Sequence, residues 1–166
     1  IRRHLPLKHL TIIDKNDISS RIDDSNITII SGDKYLDDLD IYDLIIKTPG
    51  ISLKDIDYTS FENKITSQLE LTLEVFKNNI IGITGTKGKS TTTSLMYNVL
   101  KDQGYDTYIL GNIGIPILDE IENFKSDTYL VVEMSSHQLE FNQISPHIGI
   151  ILNLYEDHLD HAGNVY

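Results

Sequence analysis

The chain has 166 residues, room for one ordinary domain or two small ones, and its 40% hydrophobic content is enough for a packed core. Against 25 Asp and Glu stand only 14 Lys and Arg, a net charge of −11 that argues against nucleic acid or an anionic membrane as partner, though one local basic loop can still hold phosphates. There is no cysteine, hence no disulfide framework or thiolate chemistry, and no apolar run approaches the roughly 20 residues that cross a bilayer.

Short β-branched runs alternate with helical stretches along the whole sequence. Residues 10–13, 27–30, 44–46, 80–83, 107–110, 129–132 and 148–152 read as strands. They lack clean polar alternation, as strands buried on both faces of a parallel sheet do, and the fold class is therefore α/β. Each run ends on a polar or turn-forming group: Asp14, Ser31, Thr48-Pro49-Gly50, Thr84-Gly85, Gly111-Asn112, Glu133 and Asn153. Ligands of open parallel sheets bind beyond the carboxyl ends of the strands, so chemistry is expected at these endings.

Between the third and fourth of these strands the sequence predicts a Pro49-Gly50 turn and a helix over 61–77. Ile65, Leu69, Leu73 and Phe76 share one face of that helix, with Leu71 and Val75 widening the stripe. This long connection places a domain boundary near residue 60. The acidic stretch 33–43 reads as a solvated helix and loop.

Residues 82–91, GITGTKGKST, follow a short buried strand and open a helix predicted over 92–101. Glycines there let the backbone turn its N–H groups inward, the helix start adds partial positive charge, and Lys89 adds a full one; together these make a phosphate cradle. Ser90 would offer its hydroxyl to the Mg²⁺ that travels with a nucleotide. The general pattern G-x-x-x-x-G-K-S/T would want glycine at Ile83, whereas Gly82 comes one residue early. A plain glycine-rich turn with an exposed lysine is the bland alternative. In the helix itself, Leu95, Val99 and Met96 are expected to face the sheet, and Gly104 to end it.

The segment Gly111 to Pro116 reads as a turn whose glycines let the main chain pass near a ligand. At the next strand end Glu133 is placed to hold a hard cation brought by the nucleotide, while Ser135 and Ser136 read equally well as caps of a short helix. Beyond Asn153, His158 and His161 stand among carboxylates with no further histidine or cysteine nearby, which disfavours zinc. His158 reads either as a magnesium-linked or substrate-orienting residue or as surface; His161, His4, His9 and His147 carry no expected role.

The segments GITGTKGKST at 82–91, GNIGIP at 111–116, EMSSHQLE at 133–140 and ILNLYEDHLD at 151–160 resemble, in order and spacing, the motifs of the Mur ligase family. Thr48-Pro49-Gly50 resembles the family's Ser-Pro-Gly turn, and Asp14 sits where its first domain meets the uridine nucleotide. The resemblance implies that 1–60 is part of a Rossmann-like domain binding the UDP-substrate and 61–166 the first part of the central, parallel-sheet, P-loop ATPase-like domain binding ATP. The chain is then expected to be an internal fragment, inactive by itself, of a longer cytoplasmic enzyme of peptidoglycan and cell wall synthesis. The carbamylated lysine and amino-acid pocket of the family would lie beyond Tyr166.

By the same resemblance the chemistry is ATP-dependent amide formation through an acyl phosphate. Gly85, Thr86, Lys87, Gly88, Lys89, Ser90 and Thr91 would hold the ATP phosphates, with Ser90, Glu133 and His158 binding Mg²⁺ and Lys89, Glu133 and His158 serving catalysis. Asp14, Thr48, Pro49, Gly50, Asn112, Ser135 and Gln138 would bind the UDP-sugar substrate. The run Ser135-Ser136-His137-Gln138-Leu139-Glu140 is most similar to the members that join D-glutamate to UDP-N-acetylmuramoyl-L-alanine, implying those substrates, a monomer, and no nucleic-acid or membrane partner. Lys87 departs from the family's usual asparagine, and His137 from a common phenylalanine. Another Mur-type or folylpolyglutamate-type ligase is the nearest alternative; a non-catalytic P-loop nucleotide-binding module or switch is the alternative of another class.

Overall fold

The computed structural model describes residues 6–114 and 117–155. They fall into two compact units that divide between Tyr42 and Asp43. In the first, β1 (Leu10–Asp14) lies parallel to β2 (Ile27–Ser31), in register from Leu10 opposite Ile27 to Asp14 opposite Ser31. Both strands are rich in Ile and Thr, whose branched side chains suit a pleated surface. At the end of β1, Asp14 Oδ1 accepts from Asn16 N at 2.8 Å and closes an Asx turn.

The second unit opens with another parallel pair, β3 (Ile45–Lys47) beside β4 (Ile65–Ser67). The helix expected over 61–77 is shorter: Ile65 belongs to β4, and α1 runs only over Gln68–Phe76. Its start is set by Ser67, whose Oγ accepts from Glu70 N at 3.0 Å, the bond of a helix N-cap. The apolar stripe is narrower than expected as well. Leu69 and Leu73 are buried, but Val75 is 68% exposed.

A four-stranded parallel sheet follows, built from β5 (Ile80–Thr84), β6 (Thr107–Gly111), β7 (Tyr129–Glu133) and β8 (Ile148–Ile151) in the order β6-β7-β5-β8. Helix α2 (Lys89–Asp102) links the first two strands, and the short helices α3 (Ile117–Glu120) and α4 (Ser136–Leu139) precede and follow β7. Every strand expected from the sequence is present, with ends shifted by no more than one residue. Burial on both faces holds for the central strands β5 and β7, whereas edge strand β8 leaves Ile148 and Ile151 exposed.

Side-chain alternation divides the sheet into two faces. Ile80, Leu110, Leu130, Val132 and Met134 pack with Leu69 and Leu73 of α1 and with Ile117 of α3. Each such aliphatic side chain, fully removed from water, contributes about 1.5–3 kcal/mol. Ile81, Ile83, Val131 and Glu133 alternate to the other face, which α2 covers as it packs against β5, β6 and β7.

The expectation for α2 needs correction. Leu95 is 63% and Val99 50% exposed; Met96 is on the less exposed side as expected, and there it is joined by Thr93 and Leu100 in place of the other two. Thr93 is fully buried because its hydroxyl donates to Lys89 O at 2.8 Å, so its polarity is spent inside the helix. The helix does end at Gly104, through the paired bonds of a Schellman motif: Gly104 N to Lys101 O at 3.0 Å and Tyr105 N to Leu100 O at 3.1 Å.

Candidate functional site

Because every strand of the sheet runs the same way, one edge collects the residues that follow β5, β6, β7 and β8. The register makes the neighbours explicit: Ile83 lies opposite Glu133, Thr84 opposite Ile151, and Gly111 opposite Glu133. The strand order also reverses around β5, whose two neighbours come late in the chain, and such switch points are where parallel sheets open a crevice.

Residues 85–88 form the turn from β5 into α2. Gly88 is the N-cap of α2 with φ 85°, a left-handed conformation that side chains resist, and Gly85 has φ 139°. No side chain caps the helix and no acidic residue stands in its first turn, so the N–H groups there remain available to an anion. Lys89 folds back over the loop, its Nζ donating to Gly85 O at 2.8 Å and Thr86 O at 3.1 Å. An incoming phosphate would compete for that ammonium with two neutral carbonyls, a contest that charge-assisted bonding favours.

Gly82 is not part of this cradle. It sits within β5, and a Cβ there would run into the Met134 side chain and lie 2.9 Å from Pro146 Cγ. The glycine that came one residue early in the motif is thus a packing requirement of the sheet, while the glycine-rich turn itself begins at Gly85.

Glu133 stands at the end of β7, next to the loop, with 1% of its surface exposed. Its Oε1 accepts from Asn112 Nδ2 at 2.9 Å, and its main-chain carbonyl accepts from Asn112 N at 3.1 Å. Its Oε2 is buried without a hydrogen-bond partner among the described residues. A buried carboxylate oxygen left bare is costly unless a cation or donor comes to it. Beside an uncapped helix start and a lysine, that is the donor expected of a site for a polyphosphate with a hard metal ion.

Residues 83–166 match the Mur ligase middle domain. The chain belongs to the Mur ligase family. It is 40% identical over 147 residues to a UDP-N-acetylmuramoylalanine--D-glutamate ligase of Clostridium kluyveri, an alignment covering 87% of this chain and 32% of the relative. The ligase of the same name from Clostridium botulinum is 40% identical over 146 residues, covering 86% of this chain and 32% of the relative. The chain thus spans about a third of the length of these relatives. Among solved structures, the UDP-N-acetylmuramate:L-alanyl-gamma-D-glutamyl-meso-diaminopimelate ligase of Neisseria meningitides aligns with a TM-score of 0.43 and 19% identity, covering 99% of this chain and 58% of that one.

In this Mur ligase chain the other residues singled out from sequence are spread over several places. Lys87, Ser90 and Thr91 are exposed on the loop and the first turn of α2, and Asn112 stands on the same edge, bonded to Glu133. Ser135 and Gln138 form a capping box for α4: Gln138 N donates to Ser135 Oγ at 3.3 Å, and Ser135 N donates to Gln138 Oε1 at 2.8 Å. Thr48, Pro49 and Gly50 make a turn closed by Ile51 N donating to Thr48 O at 3.2 Å. Asp14 ends β1 in the first unit. His158 lies outside the described residues, as do His4, His161, Ile115 and Pro116.

Two features of this Mur ligase chain went unnoticed in the sequence. Lys47, which precedes the Thr48-Pro49-Gly50 turn, is buried with its Nζ 2.9 Å from Glu140 Oε2 and 5.4 Å from the centroid of the Phe141 ring. This pair ties β3 to the residues after α4. The other is Asn153, which grips the phosphate loop. Leucine and isoleucine around Lys47 gave no hint of a buried ion pair, and Asn153 looked like one more polar strand ending. A hollow of about 610 Å³, lined by Leu44, Glu62, Glu70, Phe141 and Gln143 among others, contains none of the predicted site residues.

Proposed function

We propose that the whole protein is an ATP-dependent ligase that joins D-glutamate to UDP-N-acetylmuramoyl-L-alanine during peptidoglycan precursor synthesis. The observation that carries this reading is the bare, buried Oε2 of Glu133 at the sheet edge that also holds the phosphate loop. The names of the relatives supply the substrates. When bound, ATP with Mg²⁺ supplies an activated phosphoryl group. The chain's own residues then bind and position: the amides of Gly88 to Ser90 and the Lys89 ammonium orient the phosphates and offset charge that builds on them, as in other phosphoryl transfers. Ser90 and Glu133 would hold a metal ion that offsets phosphate charge, with Asn112 fixing one oxygen of the Glu133 carboxylate, and His158 would help hold a second.

Asp14, Thr48, Pro49, Gly50, Asn112, Ser135 and Gln138 serve the UDP-linked substrate, with 1–60 contributing to its domain and 61–166 to the ATP-binding one. The substrate carboxylate attacks the γ-phosphorus of ATP, breaking its bond to the bridging oxygen so that ADP leaves and an acyl phosphate forms; the amine of D-glutamate then attacks the acyl carbon, loses a proton and displaces phosphate. The enzyme acts as a monomer in the cytoplasm. Among the described residues no helix is long and apolar enough to cross a membrane.

Phosphate release by the full-length protein tests the proposal. Release from ATP should require both UDP-N-acetylmuramoyl-L-alanine and D-glutamate, and a peptide-extended product should accumulate in step with it. Release that ignores either compound, or replacement of D-glutamate by another amino acid without loss, would overturn the assignment.

A further inference from the structure

Asn153 reaches the phosphate loop from the neighbouring strand end and holds Lys87 at two points, through the N–H of one peptide unit and the C=O of the next. Its Oδ1 accepts from Lys87 N at 2.9 Å, and its Nδ2 donates to Lys87 O at 2.9 Å. Its main-chain carbonyl accepts from Thr86 N at 3.0 Å. On either side the contact continues: Leu152 N donates to Thr84 O at 3.0 Å, and Tyr155 N donates to Thr86 Oγ1 at 2.9 Å, which donates in turn to Tyr155 O at 3.2 Å. The approach is close enough that a Cβ on Gly85 would lie 3.1 Å from Asn153 O.

We propose that Asn153 is the positioning residue of the phosphate loop, holding the backbone on both sides of the Lys87 Cα so that the N–H groups at the start of α2 converge before a nucleotide arrives. This rests on the nucleotide-binding reading above. A single planar carboxamide bonded to both the N–H and the C=O of one residue ties together the two peptide planes that meet at that residue's Cα. It keeps the Lys87 carbonyl bonded outward, where a free carbonyl could turn toward the phosphates and repel them. The Thr86 hydroxyl on Tyr155 is a second side-chain tie of the loop, and the Lys89 ammonium on Gly85 O and Thr86 O is a third. That tie is given up when Lys89 turns to a phosphate, whereas the grip of Asn153 needs no ligand and survives its arrival. Asn153 acts on the reaction only through the loop.

The test uses the full-length protein and its Asn153→Ala variant, titrated calorimetrically with ATP and Mg²⁺, with hydrogen exchange followed at the amides of residues 85–88 in the nucleotide-free proteins. Loss of two hydrogen bonds that pre-order the site should weaken ATP binding about tenfold and speed exchange at the loop, leaving the KM values for the UDP-linked substrate and D-glutamate unchanged. Should Asn153→Ala fail to fold, Asn153→Ser is read in the same two assays with the same expectation. ATP affinity within about twofold of the parent, or an equal rise in KM for every substrate together with a lowered Tm, overturns the inference. A parent that binds no ATP refutes the function proposed above and the inference with it; a parent and variant that bind ATP alike refute the inference alone.

Discussion

Replacing Glu133 by glutamine keeps the shape of the side chain and removes its charge, so it separates the electrostatic role of this residue from its packing. Asn112 Nδ2, now 2.9 Å from Oε1, can keep its bond to the amide oxygen, which leaves the amide nitrogen at the position of the bare Oε2. Two N–H donors then face the place where a cation ligand is required. A unit charge pair about 4 Å apart is worth about 4 kcal/mol at the effective dielectric of a partly buried site. Sharing of the metal's charge with phosphate and water trims this to about 3 kcal/mol, or about 10²-fold in metal binding. In the full-length protein Glu133→Gln should therefore raise the Mg²⁺ concentration for half-maximal turnover and lower kcat/KM by about 10²-fold. The unliganded protein should meanwhile lose no stability, because a buried, half-unpaired carboxylate is replaced by a neutral group. Steady-state kinetics across a Mg²⁺ titration, with thermal unfolding in chelator, read both arms. A variant with unchanged Mg²⁺ dependence and kcat/KM within about fivefold of the parent would show that Glu133 holds no metal ion.

Lys89→Ala removes the ammonium now bonded to Gly85 O and Thr86 O and should lower kcat by about 10²-fold or more; single-turnover kinetics at saturating ATP separate this from a binding loss, and near-normal turnover would contradict the phosphate-binding role. Gly82→Ala puts a methyl group into the Met134 side chain and close to Pro146 Cγ, so urea unfolding should show a loss of about 1–3 kcal/mol; an unchanged midpoint would mean that β5 and its neighbours can shift to admit it.

Seven of the parallel strands were legible because they are short, β-branched and bounded by turn residues, whereas β4 was hidden by the helical periodicity that follows it. Helix α2 shows where periodicity misleads. Leu95 and Val99 form an obvious aliphatic stripe, yet Thr93, Met96 and Leu100 face inward, since a threonine that bonds its own helix at Lys89 O behaves as a small apolar residue. Helix α1 shows the same for boundaries. The apolar repeat runs smoothly from Ile65 into Leu69 and Leu73, and only the Ser67 hydroxyl on Glu70 N marks where strand gives way to helix. The signal was present as Ser-x-x-Glu but was overridden by the longer periodic pattern.

By itself the sequence determined the α/β class, the order of strands and the segments that end them, because these depend on local composition and on chemistry confined to a few adjacent residues. Only the tertiary structure decided which strand endings meet. Glu133 is a cation-ligand candidate because Asn112, 21 residues away, occupies one of its oxygens and burial strips the other. Asn153 matters because parallel pairing carries it to Lys87, 66 residues distant, and Gly82 is glycine because Met134 and Pro146 fill the space above it. Such roles are set by distances through space, which the order of residues along a chain does not contain.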